Sequence, residues 1–427
     1  VTITGIKGMN DILPSDVASW QFVEGTARRI FHTFGFQEIR VPVVEKTELF
    51  CRSIGETTDI VEKEMYTFSD RSDNSLTLRP EGTAPVMRAL IEHKLYNLDP
   101  VQKLYYTGPM FRYERPQKGR YRQFHQMGAE VVGIDDPSVD AQLLAMLHLF
   151  FSEIGLADVA LQLNSLGCPE CRPAYRSALI AFLEQRLDTL CDDCRRRYTT
   201  NPLRVLDCKA AGCREATAHA PVMPEHLCAA CDTHFQQVQS HLAAVEVPFI
   251  LNPRMVRGLD YYTRTTFEMT TDRLGAQSAV AAGGRYDGLI QELGGPDLPG
   301  IGFAMGLERV VLLLADRALT NATPDLFIAA LGESARNQAF ILLTRLQRMG
   351  IHCEMDYAGK SLKSQFRRAD KLAARHVLIL GEDELAAGRA PLRSMADGSQ
   401  QLVEIDLSGA NLARMLTAVK THLEGEK

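Results

Sequence analysis

The sequence predicts an α+β core, an antiparallel sheet flanked by helices. A small cysteine-rich, mainly helical insertion interrupts it, and a three-layer C-terminal α/β domain follows. Three observations predict this. Residues 1–165 and 250–322 carry short alternating apolar runs joined by short connections, the pattern of antiparallel strands. Eight of the ten cysteines lie between Cys168 and Cys231, within residues 166–249. After Pro324, within residues 323–427, apolar runs alternate with helical periodicity in a βαβαβ order, which requires right-handed crossovers.

The elements follow in chain order. Residues 13–35 have helical spacing that ends at Gly35. Strand-like runs come next at 38–44, 65–69, 76–79, 103–107 and 123–132. In the C-terminal domain, 326–331 is an apolar run. Ser334 is placed to cap a helix in which Ala339, Leu342, Leu343 and Leu346 recur at i, i+3, i+4 and i+7, and Gly350 ends it. A strand at 351–355 leads to Ser361. This residue opens a helix with Leu362, Phe366, Ala369 and Ala373 on one face and Lys363, Arg367 and Lys371 on the other. Residues 377–380 form a third strand.

With 427 residues, 45% of them hydrophobic and 23% charged, the chain has enough apolar content for roughly two to four globular domains. The first residues lack a basic stretch followed by an apolar one, and the purest apolar run, 310–315, is too short to span a bilayer. The expectation is a soluble, cytoplasmic protein with no membrane partner. A net charge of −6 leaves nucleic-acid binding to local patches. One patch is Arg112, Arg115, Lys118, Arg120 and Arg122. Another is Lys360, Lys363, Arg367, Arg368, Lys371 and Arg375.

Two segments carry the chemistry. Residues 108–130, GPMFRYERPQKGRYRQFHQMGAE, read as a strand, a basic loop and a returning strand. On the second strand Gln126, Gly128 and Glu130 share a face. Antiparallel pairing brings Arg112 toward that face, and a guanidinium there suits bidentate binding of phosphate or carboxylate. Residues 300–309, GIGFAMGLER, read as a glycine-rich strand running into a helix whose first turn holds Glu308 and Arg309. Backbone amides and Arg309 at that helix start favour an anion.

Together the two segments resemble motifs 2 and 3 of the class II aminoacyl-tRNA synthetases, and Pro42, in FGFQEIRVPVVE, resembles the proline of motif 1 at the dimer interface of that class. Three further segments, TLRPEGT at 77–83, RGLDYYTRTTFE at 257–268 and AGGRYDGL at 282–289, resemble signatures of the histidyl-tRNA synthetases, bacterial type. The resemblance spans nearly the whole chain and fits least well in the insertion. It implies a histidine–tRNA ligase: a cytoplasmic homodimer that takes ATP with Mg²⁺, L-histidine and tRNA(His). It implies that Glu81, Gly82 and Thr83 meet the α-amino group, and that Arg112 meets the α-phosphate of ATP. Gln126 and Glu130 line the amino-acid pocket, with Glu130 also near ATP. Arg257 lies against carboxylate and α-phosphate, Tyr261 and Tyr262 border the imidazole, and Arg309 holds the γ-phosphate. Arg112 and Arg257 would then be the catalytic cations, because adenylation develops negative charge at the α-phosphorus. Imidazole offers one donor and one acceptor, which Glu130 and Tyr262 can complement. On the tRNA side the resemblance implies Arg115 and Gln117 at the acceptor end, and an anticodon-binding C-terminal domain with Lys363, Arg367 and Lys371 on phosphates.

The cysteines pair in sequence as Cys168/Cys171, Cys191/Cys194, Cys208/Cys213 and Cys228/Cys231. Three are C-x-x-C knuckles of the kind that set two thiolates for tetrahedral zinc. Eight ligands hold two ions, or four hold one. Cys51 and Cys353 read as packing residues. The competing reading is a non-catalytic paralogue, such as the regulatory subunit of ATP phosphoribosyltransferase in histidine biosynthesis. The retained Arg112, Glu130, Arg257 and Arg309, and about 100 residues after Pro324, argue against it.

Overall fold

The computed structural model describes the chain except residues 1, 56, 57, 59, 260, 276–278, 318–321, 407 and 425–427, and except the side chains of 418–424. Asp260, within RGLDYY, thus lies outside the described residues, as does part of the stretch around the 322/323 boundary. The chain forms two compact units, Val1–Leu319 and Thr320–Lys427.

The first unit is organised by an eight-stranded sheet. Gln102–Phe111 and Gln123–Val132 pair antiparallel over their full lengths, with Phe111 opposite Gln123 and Tyr106 opposite Gly128. Gly300–Gly306 adds to the other side of Gln123–Val132, followed by Ala279–Arg285, Thr263–Thr270 and Ala160–Ser165. The expected antiparallel order holds through this centre, whereas both edges are parallel: Gln37–Glu38 on Gln102–Phe111, and Phe249–Leu251 on Ala160–Ser165. The sheet is therefore mixed. The expected strand at 38–44 is split, because Val44–Lys46 joins Ser75–Leu78 and Tyr66–Ser69 in a separate three-stranded sheet.

Helices Val17–Thr33 and Pro137–Glu153 cover one face of the large sheet. Their Val23, Ile30, Phe31, Leu144, Leu147 and Phe150 join Tyr105, Ala129, Phe267 and Phe303 in one apolar core. Asp136 caps Pro137–Glu153 through the Ser138 amide, with proline in the first turn where its missing N–H costs nothing. At the bottom of this packing lies an ionic network. Arg285, wholly buried, donates to Asp140 (Nη2–Oδ1 2.8 Å), and the other Asp140 oxygen meets His234 Nε2 at 2.9 Å.

The insertion is helical, as expected. Arg172–Glu184, Asp192–Arg197, Leu203–Leu206, Ala211–Ala216 and Ala229–Ala244 succeed one another. Its own core gathers Tyr175, Leu179, Leu183, Val205 and Met223 around the cysteines.

The second unit has a five-stranded sheet. Cys353–Met355, Leu326–Ala330 and His376–Leu380 are parallel, and Arg389–Ser394 and Gln400–Glu404 extend it antiparallel. Helix Glu333–Arg348 buries Ala339, Leu342, Leu343 and Leu346 as the spacing requires. Two expectations fail here. Gly332, not Ser334, is the N-cap, because the chain leaves the strand with a φ of 88° that glycine tolerates. Helix Leu362–Lys371 ends before Ala373, which is exposed at φ 52°, and Ala374 is buried instead. Lys363, Arg367 and Lys371 are exposed on that helix. Among the described residues no helix is long and apolar enough to cross a membrane.

Candidate active site

A cavity of about 390 Å³ opens on the sheet over strands Gln123–Val132, Gly300–Gly306, Ala279–Arg285 and Thr263–Thr270. Glu81, Thr83, Arg112, Gln126, Arg257, Tyr261, Tyr262 and Arg309 all line it. Separate stretches of sequence thus meet in one place.

Two of these residues are set by a helix start. The Glu81 carboxylate accepts the Thr83 and Ala84 amides at 2.6 and 2.9 Å, satisfying first-turn donors of helix Thr83–Glu92. Burial raises the Glu81 pKa, and those two amides oppose the rise. Thr83 Oγ1 donates to Glu130 Oε1 at 2.7 Å, and the Tyr286 hydroxyl donates to Glu130 Oε2 at 2.7 Å. Glu130 is fully buried and is not among the residues that line the cavity, which it reaches through Thr83. Burial pushes its carboxyl up to about 8.

Gly82 and Gly128 have one physical cause between them. The buried Tyr106 ring lies between them, so a methyl group at Gly82 would overlap that ring. One at Gly128 would lie 2.5 Å from its hydroxyl oxygen and 2.7 Å from the Phe303 carbonyl. Only glycine permits this approach.

The cations come from three directions. Arg112 Nε donates to the Pro80 carbonyl at 2.9 Å, and its guanidinium lies 5.4 Å from the Phe124 ring. Arg257 pairs with Glu268 on the neighbouring strand and lies 5.6 Å from the Tyr262 ring centre. Arg309 donates to the carbonyls of Gly119 and Ala279 at 3.0 and 2.6 Å, which ties the basic loop to the sheet. Desolvation pulls Arg112 and Arg309 below the usual guanidinium value, and for Arg309 the nearby Arg120 and Arg112 add to it. Tyr261 and Tyr262 pack at 4.6 Å between ring centres, and Tyr286 meets Tyr261 edge-on at 6.0 Å. Two buried polar atoms beside the cavity, Gln126 Oε1 and Arg257 Nε, have no hydrogen-bond partner among the described residues. A bound ligand or an ordered water would satisfy both.

Arg115 and Gln117 are exposed on the loop, outside the cavity. Gln117 and Arg120 close that loop by mutual backbone bonds of 3.0 and 2.9 Å. Sequence reasoning missed Tyr106, Glu268, Tyr286, Asp207 and Lys209. Glu268 and Tyr286 fall inside the two quoted signatures, so the signal was present. Tyr106 matters only through the register that sets it against Gly128, and Asp207 and Lys209 reach the cavity wall from the insertion.

The eight clustered cysteines form two groups of four. Cys168, Cys171, Cys228 and Cys231 make one, and Cys191, Cys194, Cys208 and Cys213 the other, with the sulfurs of each group within 4.8 Å of one another. The Cys228 amide donates to Cys171 Sγ, and the Cys191 amide to Cys213 Sγ, each at 3.1 Å. Local backbone amides hold Cys191 and Cys228 down to about 7, whereas burial pushes Cys171, Cys194, Cys213 and Cys231 up. Either group could hold a metal ion. Cys51 is half-buried and Cys353 buried, away from both groups.

Comparison with known proteins agrees with this geometry. A family profile described as histidyl-tRNA synthetase matches residues 8–310, and one described as an anticodon binding domain matches residues 325–413. The histidine–tRNA ligase of Geobacter metallireducens is 67% identical over 95% of this chain and 98% of its own. That of Syntrophotalea carbinolica is 66% identical over 95% and 97%. The crystal structure of apo Staphylococcus aureus histidyl-tRNA synthetase, 36% identical, superposes with a TM-score of 0.82 over 97% of this chain and all of that one. With this identity sustained along both units, the chain belongs to the histidyl-tRNA synthetase family.

Proposed function

We propose that the chain activates L-histidine with ATP and transfers it to tRNA(His). A carboxylate oxygen of histidine attacks the α-phosphorus of ATP and displaces pyrophosphate, leaving histidyl-adenylate. A hydroxyl of the terminal tRNA ribose then attacks the acyl carbon and releases AMP. The observation that carries this reading is the convergence of Arg112, Arg257 and Arg309 on one cavity that also presents Glu81, Thr83, Gln126 and two tyrosines.

In this reading Arg112 and Arg257 meet the charge that grows on the α-phosphate, and Arg309 meets the γ-phosphate. Preorganised cations in a desolvated site are the main source of such stabilisation. Mg²⁺ supplies further neutralisation of the polyphosphate when bound. Glu81 and Thr83 receive the α-ammonium, and Gly82 lets the chain turn there against Tyr106. Tyr261, Tyr262 and Gln126 border the imidazole. Glu130 acts through Thr83 and Tyr286, so we assign it the setting of pocket charge and hydrogen-bond direction. The regulatory-paralogue reading is not favoured, because the curated relatives carry the ligase name at high identity over nearly their whole length.

Further proposals follow from the same reading. The protein works in the cytoplasm as a homodimer with Pro42 at the interface. Arg115 and Gln117 face the tRNA acceptor end, and Lys363, Arg367 and Lys371 contact tRNA phosphates. The cysteine groups bind zinc. A single tetrahedral zinc at about 2.3 Å from each sulfur sets sulfurs about 3.8 Å apart. Here Cys168 lies 3.6 Å from Cys171 and 3.9 Å from Cys228, and Cys191 lies 3.8 Å from Cys208.

The test is ATP–pyrophosphate exchange with each of the twenty amino acids. Exchange with histidine alone is expected. No exchange with any amino acid from folded, zinc-replete protein would move the reading to the non-catalytic paralogue.

A further inference from the structure

The two cysteine groups flank one segment of the catalytic unit, described at residues 256–259 and 261–262, which holds Arg257, Tyr261 and Tyr262. The Cys168 group reaches its end. Arg172, next to Cys171, donates to the Tyr262 carbonyl. Gly167, next to Cys168, accepts the Arg264 amide at 2.8 Å, and the Leu166 amide donates to the Arg264 carbonyl at 2.7 Å. Arg264 has a φ of 46° and begins the irregular stretch where Thr263 and Thr266 pair with successive residues Arg285 and Gly284. A non-glycine residue in that region persists only where its neighbours hold it. Gly167 has no room for a side chain, since a methyl there would lie 2.8 Å from the Cys171 Cβ.

The Cys191 group reaches the beginning of the segment. Cys208 stands between Asp207 and Lys209, both of which line the substrate cavity. The preceding helix, Leu203–Leu206, packs Leu203 against two cores at once. One is the core of the insertion, which also takes in Val256. The other is the apolar cluster that contains Leu259, Tyr261 and Tyr262. Arg204 lies against Gly258, so that a methyl at Gly258 would come within 3.4 Å of its guanidinium.

We infer that the two tetrathiolate metal sites are struts for the histidine-recognition segment: the Cys168 site fixes its Tyr262 end through Arg172 and the Gly167–Arg264 backbone pairing, and the Cys191 site fixes its Val256–Gly258 end through Leu203, Arg204 and the Asp207–Lys209 turn. Metal ligation joins parts of the insertion distant in sequence, Cys168 with Cys228 and Cys191 with Cys208, and thereby makes the support stiff. The inference rests on the metal reading above and adds to it a coupling between metal and substrate recognition. Arg172, Arg204 and the cysteines are positioning residues, since they act through the segment and not on substrate.

The test compares the full chain, purified without added zinc, with Cys213→Ser, Cys231→Ser and Arg172→Ala. Zinc is counted by mass spectrometry, amide exchange of 256–262 is followed by hydrogen–deuterium exchange, and KM for histidine and kcat are taken from pyrophosphate exchange. The wild type is expected to hold two zinc ions, one for each thiolate group, and each cysteine variant to keep one. Each cysteine variant should then expose 256–262 to faster exchange and raise the histidine KM roughly tenfold, with a smaller change in kcat, because substrate alignment is lost before chemistry is. Arg172→Ala keeps all eight thiols and both ions and should loosen the Tyr262 end alone. Less than a tenth of an equivalent of zinc in the wild type overturns the metal reading and this inference with it. Two zinc ions in the wild type, with exchange of 256–262 and the histidine KM unmoved in the one-zinc variants, overturns the strut and leaves the metal reading intact. If the cysteine variants do not fold, Arg172→Ala decides: two bound zinc ions with unchanged histidine KM and unchanged exchange at Tyr262 refute the coupling.

Discussion

Replacing Glu130 by glutamine should stabilise the protein in alkali and leave it nearly unchanged in acid. Glu130 is fully buried, receives hydroxyls from Thr83 and Tyr286 at 2.7 Å each, and has its carboxyl pushed from an ordinary 4.5 up to about 8 by burial. The folded chain therefore binds this proton more tightly than the unfolded chain does. Below pH 4.5 both states are protonated and the group is neutral to stability. Between 4.5 and about 8 the unfolded state loses the proton first, so stability falls as pH rises, and above that the cost is constant. At about 1.4 kcal/mol per tenfold change in proton affinity, the full cost is at most about 5 kcal/mol, and relaxation and water entry bring the expected figure to about 2–4 kcal/mol. Glutamine keeps the geometry: its carbonyl accepts from Thr83, its amide donates to the Tyr286 oxygen, and it never ionises. Urea unfolding of wild type and Glu130→Gln at pH 5, 7 and 9 reads the difference. The variant should match the wild type within about 1 kcal/mol at pH 5 and exceed it by about 2–4 kcal/mol at pH 9. A stability difference independent of pH would refute the reasoning.

Three other outcomes are expected. Asp140→Ala removes the carboxylate that the wholly buried Arg285 meets at 2.8 Å but leaves it Asp287 at 3.3 Å and the Ile134 carbonyl at 3.1 Å, and should cost about 1.5–3 kcal/mol by urea denaturation. Gly128→Ala drives a methyl to 2.5 Å from the Tyr106 hydroxyl and 2.7 Å from the Phe303 carbonyl. The central strand cannot retreat, so a loss of about 1–3 kcal/mol is expected, with a raised histidine KM measured by pyrophosphate exchange. Reversing Lys363, Arg367 and Lys371 to glutamate should flatten the dependence of log tRNA affinity on log salt by about one for each phosphate no longer neutralised. An unchanged slope in filter binding would remove that helix from the interface.

The sequence alone determined which elements form and what chemistry they carry. Period-two and period-3.6 patterns located the returning strand at Gln123–Val132 and the buried face of Glu333–Arg348, because those patterns are local consequences of how side chains leave the backbone. It also carried Arg112, Arg257 and Arg309, which the structure brings to the wall of one cavity. Where the reading erred, a local signal competed with a distant one. Ser334 is a good cap by type, but the geometry leaving Leu326–Ala330 required Gly332. The 38–44 run alternates well, yet its ends are claimed by two different sheets. Only the tertiary structure decided that Glu130 is held by the Thr83 and Tyr286 hydroxyls, that Tyr106 fills the space left by Gly82 and Gly128, and that eight cysteines sort into two groups of four, one nested inside the other. These depend on strand register and on hydrogen bonds between residues 47 to 156 positions apart, and spacing along a chain carries no information about which distant partners packing will bring together.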